Sequence, residues 1–364
     1  MEALSHNAQR QYMDAVSAFT ALEEAQQEAE QVRGGMYWHK GPRSNPEAHY
    51  LVRTTAAGGE TSLGARSAET EAIYANFQRR KQEAEERLTG LKARVSEHKR
   101  LNKALRVGRV DPLVINLLNR LASTKLAEHF RVVGTHAVYA YEAEAGLRVI
   151  PGAVATQDID FLWDVRKRVH FASQLKRIDS SMLGVLKTVD PSFRVRRSQQ
   201  YTAVNRDGFE VDIIRRQPVD GDAHPIRLSD DEGDLWAAQA VNAHVLMDSP
   251  AFSAVIVASN GEMARMNTLH PLAFARFKRW MSALPNRDAK KKARDLLQAQ
   301  IVEEIVSAHL PHLTHGDNGF EIPALSAQAL LAPAVSTGLP EEEPAVQVTP
   351  AGPSAPLRRT RRPK

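Results

Sequence analysis

Between Arg131 and Asp164 the chain reads RVVGTHAVYAYEAEAGLRVIPGAVATQDIDFLWD, and this stretch constrains the fold more than any other. An apolar strand ending at Gly134-Thr135 runs into a helix-forming segment. A second apolar strand follows, with Asp158-Ile159-Asp160 at its start. Side chains alternate across a strand with a period of two. Asp158 and Asp160 therefore share one face, and Ile159, Phe161 and Trp163 share the other, where a core can take them. Two carboxylates held against a sheet are costly unless something positive lies between them, and divalent metal ions are the usual solution.

A third acid is available in Gly208-Phe-Glu-Val-Asp-Ile-Ile, where Glu210 and Asp212 share a face opposite Phe209, Val211 and Ile213. If this strand lies beside the first, Asp158, Asp160 and Asp212 converge and can hold two Mg²⁺ ions, with Mn²⁺ as an alternative. The Gly134-Thr135 turn offers backbone N–H groups and a hydroxyl at a helix start, which suits phosphate.

These features resemble the nucleotidyltransferases of the DNA polymerase β superfamily. Their fingerprint is a Gly-Gly or Gly-Ser strand end, a helix, an Asp-x-Asp or Asp-x-Glu strand and a later third acid. More specifically, the chain resembles a bacterial nucleotidyltransferase-like family through Gly134–Glu142, Ser62–Phe77, Ala104–Pro112 and His270–Gln300. Thr135 departs from the usual Gly or Ser, and Asp158 comes 24 positions after Gly134, a longer spacing than is common there. The added segment Gly146–Gln157 is expected to be a loop. Lys278 and the run Arg287–Asp295 more loosely resemble abortive-infection-type nucleotidyltransferase toxins. By that resemblance Lys278 contacts nucleotide phosphates and Asp295 positions a base or nucleophile, with Lys292 and Arg294 as secondary candidates.

The resemblance implies an α+β fold: a mixed sheet of the polymerase β-like nucleotidyltransferase type, flanked by helices. An N-terminal region of long helices and a β-hairpin precedes it, and a helical C-terminal region follows. Tyr12, Val16, Phe19 and Leu22 mark a first helix ending before Gly34-Gly35. Residues 36–63 read as a hairpin. A helix over 67–105 has Ile73, Phe77, Ala84, Leu88, Leu91 and Val95 at three- and four-residue intervals, which suits packing against the first helix better than a coiled coil broken by Gly90. Asp111-Pro112 caps another helix. Strands are expected at 131–134, 158–163, 193–204 and 208–214, and helices at 135–146 and 168–180. The expected units are 1–110, a transferase core at 111–218, a mainly helical domain at 219–331, and a disordered Pro/Ala-rich tail at 332–364 with a basic end.

The 364 residues are 43% hydrophobic, carry a net charge of +5 and include no cysteine. Disulfides, thiolate zinc sites and cysteine nucleophiles are thereby excluded. No signal core or membrane-length apolar run is evident, so a cytoplasmic protein with no membrane partner is expected. The positive balance fits polyanionic partners.

Several residues also have plainer readings. His136 reads as a packed or capping histidine rather than a base, and Tyr139, Tyr141 and Glu142 as packing or surface residues. Lys278 beside Arg276 and Arg279, like Lys290-Lys291-Lys292, has the look of a solvated face. His309, His312 and His315 straddle Pro311 without carboxylate company, which argues against zinc. The reading that follows is metal-dependent transfer of a nucleoside monophosphate from a nucleoside triphosphate to an acceptor hydroxyl on RNA such as tRNA, on a protein or on a small molecule, in a toxin or defence setting. The alternative is an inactive nucleotidyltransferase fold serving as a scaffold, or a nucleic-acid-binding module. The presence of all three acids weighs against both.

Overall fold

The protein, described here from a computed structural model, is seen over residues 1–42, 45, 47–55, 58–219, 222–314 and 335–336. The expected tail lies outside these residues except for Val335–Ser336, and His315 lies outside them too.

The acid-bearing strands form the centre of the molecule. Strands β4 (Phe130–Val133), β5 (Asp158–Trp163), β6 (Arg194–Arg196), β7 (Gln199–Val204), β8 (Glu210–Arg216) and β9 (Ala238–Ala240) build one mixed sheet, after three N-terminal strands described below. β8 runs parallel to β5 along one edge. Its other edge is divided: residues 210–212 pair antiparallel with β7, and 214–216 pair parallel with β9. β4 closes the far side of β5 in antiparallel register, and Val335–Ser336 adds two residues beyond β9. The sequence suggests one strand over 193–204. The structure breaks it into β6 and β7, which pair with each other as a hairpin.

Both faces of the sheet are covered, as a parallel pair requires. Ile159, Phe161 and Trp163 pack with Val114 and Leu117 of α3 (Pro112–Ser123), Phe171 of α6 (Arg168–Arg177) and Leu186 of α7 (Met182–Lys187). Leu162 and Ile214 lie on the acid face and pack with Tyr141 of α4 (Val138–Ala145), Phe274 of α9 (Pro271–Ala283) and Val302 of α10 (Ala289–His309). The Asp111 side chain accepts from the Leu113 N–H at 2.8 Å, with Pro112 in the first turn, so α3 starts where its capping residues require.

Residues 219–331, expected to be mainly helical, also contain strands. After the short helix α8 (Ala243–Asp248), β10 (Ala251–Val257) and β11 (Met263–Leu269) form a seven-rung antiparallel hairpin, which contributes Ala254, Ile256, Ala264 and Met266 to the core. The run Ser253–Ala258 is apolar because it is a buried strand.

At the N-terminus, α1 (His6–Gln31) and α2 (Ala68–Ala104) run antiparallel. Gln11 bonds Asn102 at 3.0 Å near one end, and Arg87 pairs with Glu28 near the other. β1 (Gly35–Lys40) and β2 (His49–Thr54) make the expected hairpin, and β3 (Glu60–Ala65) extends it to a three-stranded meander. Among the described residues no helix is long and apolar enough to cross a membrane.

Candidate active site

The register of β5 and β8 brings the predicted acids together. Asp212 lies directly across from Asp160, and Glu210 across from Asp158. All four side chains share a sheet face, because each strand alternates with a period of two and the register sets 210 against 158 and 212 against 160. They line the floor of a cleft of about 430 Å³, a volume in the range of small-ligand sites.

These carboxylates are held at an electrostatic cost. Burial pushes the Asp160 carboxyl up to about 7, and the neighbouring Asp158 and Asp212 push in the same direction. Burial likewise raises Asp212 to about 6, although the Thr202 hydroxyl donates to its Oδ1 at 2.5 Å and favours the charged form. Asp158 accepts from Thr156, and Glu210 pairs with Arg196. Asp158 and Asp212 thus turn toward their own donors. An all-oxygen set of unneutralised carboxylates at a cleft floor fits a hard divalent cation, and Asp158, Asp160 and Asp212 are the residues that would hold it.

Gly134 has a reason beyond chain reversal. Its φ is +68°, and a β-carbon there would lie 2.0 Å from Asp160 Oδ2. The turn Gly134–Ala137 is a 3₁₀ turn that leads into α4, so the predicted helix at 135–146 starts later than expected. The Thr135 hydroxyl accepts from Gln298 Nε2 at 3.1 Å, and that nitrogen also donates to Ala153 O at 2.6 Å. Gln298 thereby ties α10 to the turn and to the long segment before β5.

That segment is structured rather than a loop. Leu147–Arg148 pairs with Glu2–Ala3, Pro151–Val154 forms one helical turn (α5), and Arg294 donates to Ala155 O at 3.3 Å. The long Gly134-to-Asp158 spacing is absorbed in this way without moving Asp160 from its place opposite Val133. His136 is buried, and its Nδ1 donates to Asp158 O at 2.9 Å. Burial drops its pKa to about 4, so it is a neutral brace for the acid strand. Glu142 is buried against Arg109 and accepts from Val149 N at 3.1 Å, while the Tyr141 hydroxyl donates to Leu269 O at 3.0 Å. These residues pack, but they are not on the surface.

Lys278 is not on a solvated face. It is buried at the cleft wall and donates to Asp295 Oδ1 at 2.8 Å. Burial lowers its pKa, and the Asp295 charge opposes that shift. Arg287 donates to Asp295 Oδ2. Asp295 therefore spends both oxygens on two cleft cations and is absent from the cleft lining, whereas Lys278, Arg287, Lys291 and Arg294 belong to it. Lys292 instead reaches Pro285 O at 3.3 Å.

One wall of the cleft is not expected from the sequence. Tyr201, Phe274, Phe277 and Trp280 line the cleft, with the Phe277 and Trp280 rings 5.3 Å apart and inclined at 36°. On α9 Phe274, Phe277 and Trp280 recur every three residues, a spacing that ordinarily signals a core stripe. Only the neighbouring Lys278 hinted otherwise. The cleft thus joins converging acids, fixed cations and aromatic rings within reach of a glycine turn. Residues 113–318 match a protein family described as Nucleotidyltransferase, which spans over half of the 364 residues. No curated protein and no solved structure matches the chain.

Proposed function

The chain belongs to the nucleotidyltransferase family, and from that premise we propose that the cleft transfers a nucleoside monophosphate from a nucleoside triphosphate to an acceptor hydroxyl. The observation that carries this reading is the register of Asp160 against Asp212 on adjacent parallel strands, facing a cleft walled by Lys278 and Arg287. Divalent ions held by Asp158, Asp160 and Asp212, with Mg²⁺ or Mn²⁺ suiting oxygen donors, would supply charge neutralisation at the triphosphate.

The chain's own groups do the rest. Gly134 and Thr135 bring a backbone turn and a hydroxyl to the phosphates. Lys278 and Arg287, oriented by Asp295, counter the charge of the pyrophosphate end. Trp280 and Phe277 offer faces for the base. The acceptor oxygen attacks the α-phosphorus, and the bond from that phosphorus to the bridging oxygen of the β-phosphate breaks to release pyrophosphate. The acceptor's proton passes to Asp212 Oδ2, the oxygen not engaged by Thr202. Catalysis on this view is positioning and electrostatics.

RNA, including tRNA, is the acceptor best supported by charge, since Arg196, Lys291 and Arg294 line the same cleft. A toxin or defence role rests on the likeness at Lys278 and Arg287–Asp295 alone. The test is binding of ATP, CTP, GTP and UTP with and without Mg²⁺, for the native chain and for Asp158→Ala/Asp160→Ala. Transfer of labelled nucleotide to total RNA or to proteins of a cell extract then identifies the acceptor. Mg²⁺-dependent binding lost in the variant is expected; equal binding in both proteins would overturn the catalytic reading.

A further inference from the structure

We propose that Glu128, His129 and His170 form a second metal site, separate from the aspartate cleft, for a borderline divalent ion of the Zn²⁺ class. Glu128 and His129 end the 3₁₀ turn Ala127–His129 that leads into β4, and His170 lies on α6. One ligand atom from each lies within 4.8 Å of the other two. The His129 and His170 rings are 5.1 Å apart, and His170 Nδ1 is 3.9 Å from Glu128 Oε1. Ligands around a tetrahedral zinc stand roughly 3.4 Å apart, so small rotations of the two exposed side chains, Glu128 and His170, close the set.

A cluster of such residues is common on surfaces, but His129 is not an ordinary member. It is 1% exposed, and neither of its ring nitrogens has a hydrogen-bond partner. Burying an imidazole without a partner is costly, and a metal bond to one nitrogen removes that cost. The ring is packed away from water, edge-on against Phe171 at 5.4 Å. Gln174 Nε2 lies 3.4 Å from His170 Nε2; turning that amide over presents its oxygen, which accepts from the Nε2–H of a ring that binds metal through Nδ1. The nearby charges leave the Glu128 carboxylate available: Lys167 Nζ bonds the Glu128 carbonyl at 3.4 Å, and Asp164 is paired with Arg166.

Two imidazoles and one carboxylate suit Zn²⁺, Co²⁺ or Ni²⁺, whereas the all-oxygen cleft suits Mg²⁺. The two sites also lie apart along the sheet. Phe130, next to His129, pairs with Trp163, while Val133 pairs with Asp160 at the other end of β4; three residues of strand span about 10 Å. An ion there would pin the entry of β4 to α6, leaving an exposed side for water as the fourth ligand.

The experiment uses the full, untagged chain stripped with a chelator and titrated with Zn²⁺, and with Co²⁺ for its visible absorption. One equivalent of Zn²⁺ is expected, with the intense bands of a four-coordinate Co²⁺ site. Both should persist in Asp158→Asn/Asp160→Asn, which separates this site from the cleft whether or not the cleft is catalytic. His170→Ala and Glu128→Gln change exposed side chains and leave the core intact. Each should weaken Zn²⁺ binding by about tenfold or more and abolish the Co²⁺ bands. No bound equivalent in the native chain, or native affinity in His170→Ala, overturns the proposal.

Discussion

Asp160 and Gly134 fit each other as a pair, the carboxylate filling the space that any other residue's β-carbon would need. The consequence is a buried carboxyl, also flanked by like charges, with its pKa raised to about 7. A carboxyl whose pKa is raised on folding stabilises the protein below its ordinary pKa, and that contribution is lost as pH rises through the folded value. For Asp160 the loss spans roughly pH 4 to 7, shared with Asp212, whose pKa rises to about 6, because adjacent carboxyls titrate together. Asp160→Asn should therefore stabilise the chelator-treated protein at pH 8 by at most a few kcal/mol, and by little near pH 4. Melting temperatures of both proteins from pH 4.5 to 8.5 check this; a difference that does not widen with pH would show that the charge carries no such cost. The same substitution should reduce nucleotidyl transfer at least ~100-fold, measured as labelled nucleotide incorporated with Mg²⁺ present.

At the scale of elements, α9 and α10 meet through Lys278, Asp295 and Arg287. Removing one partner of a buried pair strands the others, so Asp295→Asn should cost about 3–5 kcal/mol in urea unfolding. The double variant Lys278→Met/Asp295→Leu should recover most of that stability yet bind triphosphate poorly. If it binds like the native chain, Lys278 is structural only. On the same helix, Trp280→Ala should raise the nucleotide KM about tenfold with a smaller change in kcat, read from initial rates, as expected for loss of a stacking face.

How far these elements could be read in the sequence follows from how local their signals are. The acid faces of β5 and β8 obey a two-residue period and need no distant partner to be recognised. In the β10–β11 hairpin the second strand, Met263–Leu269, alternates Arg265 and Asn267 with buried residues, but its methionine, alanine and asparagine give it little strand propensity. Those polar residues answer to Glu23 and to Ala127 O, far away in sequence. Gln298 carries no signal at all; its meaning is its reach to Thr135 and Ala153.

Over the whole molecule, the N-terminal helices are joined to the central sheet through the β10–β11 hairpin. Tyr12 donates to Val255 O at 2.8 Å, Asn102 Nδ2 donates to Gly261 O at 3.2 Å, and Lys99 pairs with Glu262. Ala8, Ala15 and Val107 share an apolar cluster with Val255, Val257 and Met263. Gly261 is held so close to α2 that a β-carbon there would meet Lys99 O at 2.0 Å. The hairpin in turn bonds the site strand's neighbour, since the Thr268 hydroxyl donates to Val132 O at 2.6 Å. Asn102 is 1% exposed and also receives Gln11, so Asn102→Ala takes the Asn102 bond from Gly261 O, leaves Gln11 Nε2 with His98 alone, and should cost about 1–3 kcal/mol. If α2 and the hairpin open as one unit, hydrogen exchange in this variant should quicken together in the last turns of α2 and in residues 253–263. Faster exchange confined to α2, with the hairpin as protected as in the native chain, would mean that the N-terminal helices and the core are separate cooperative units.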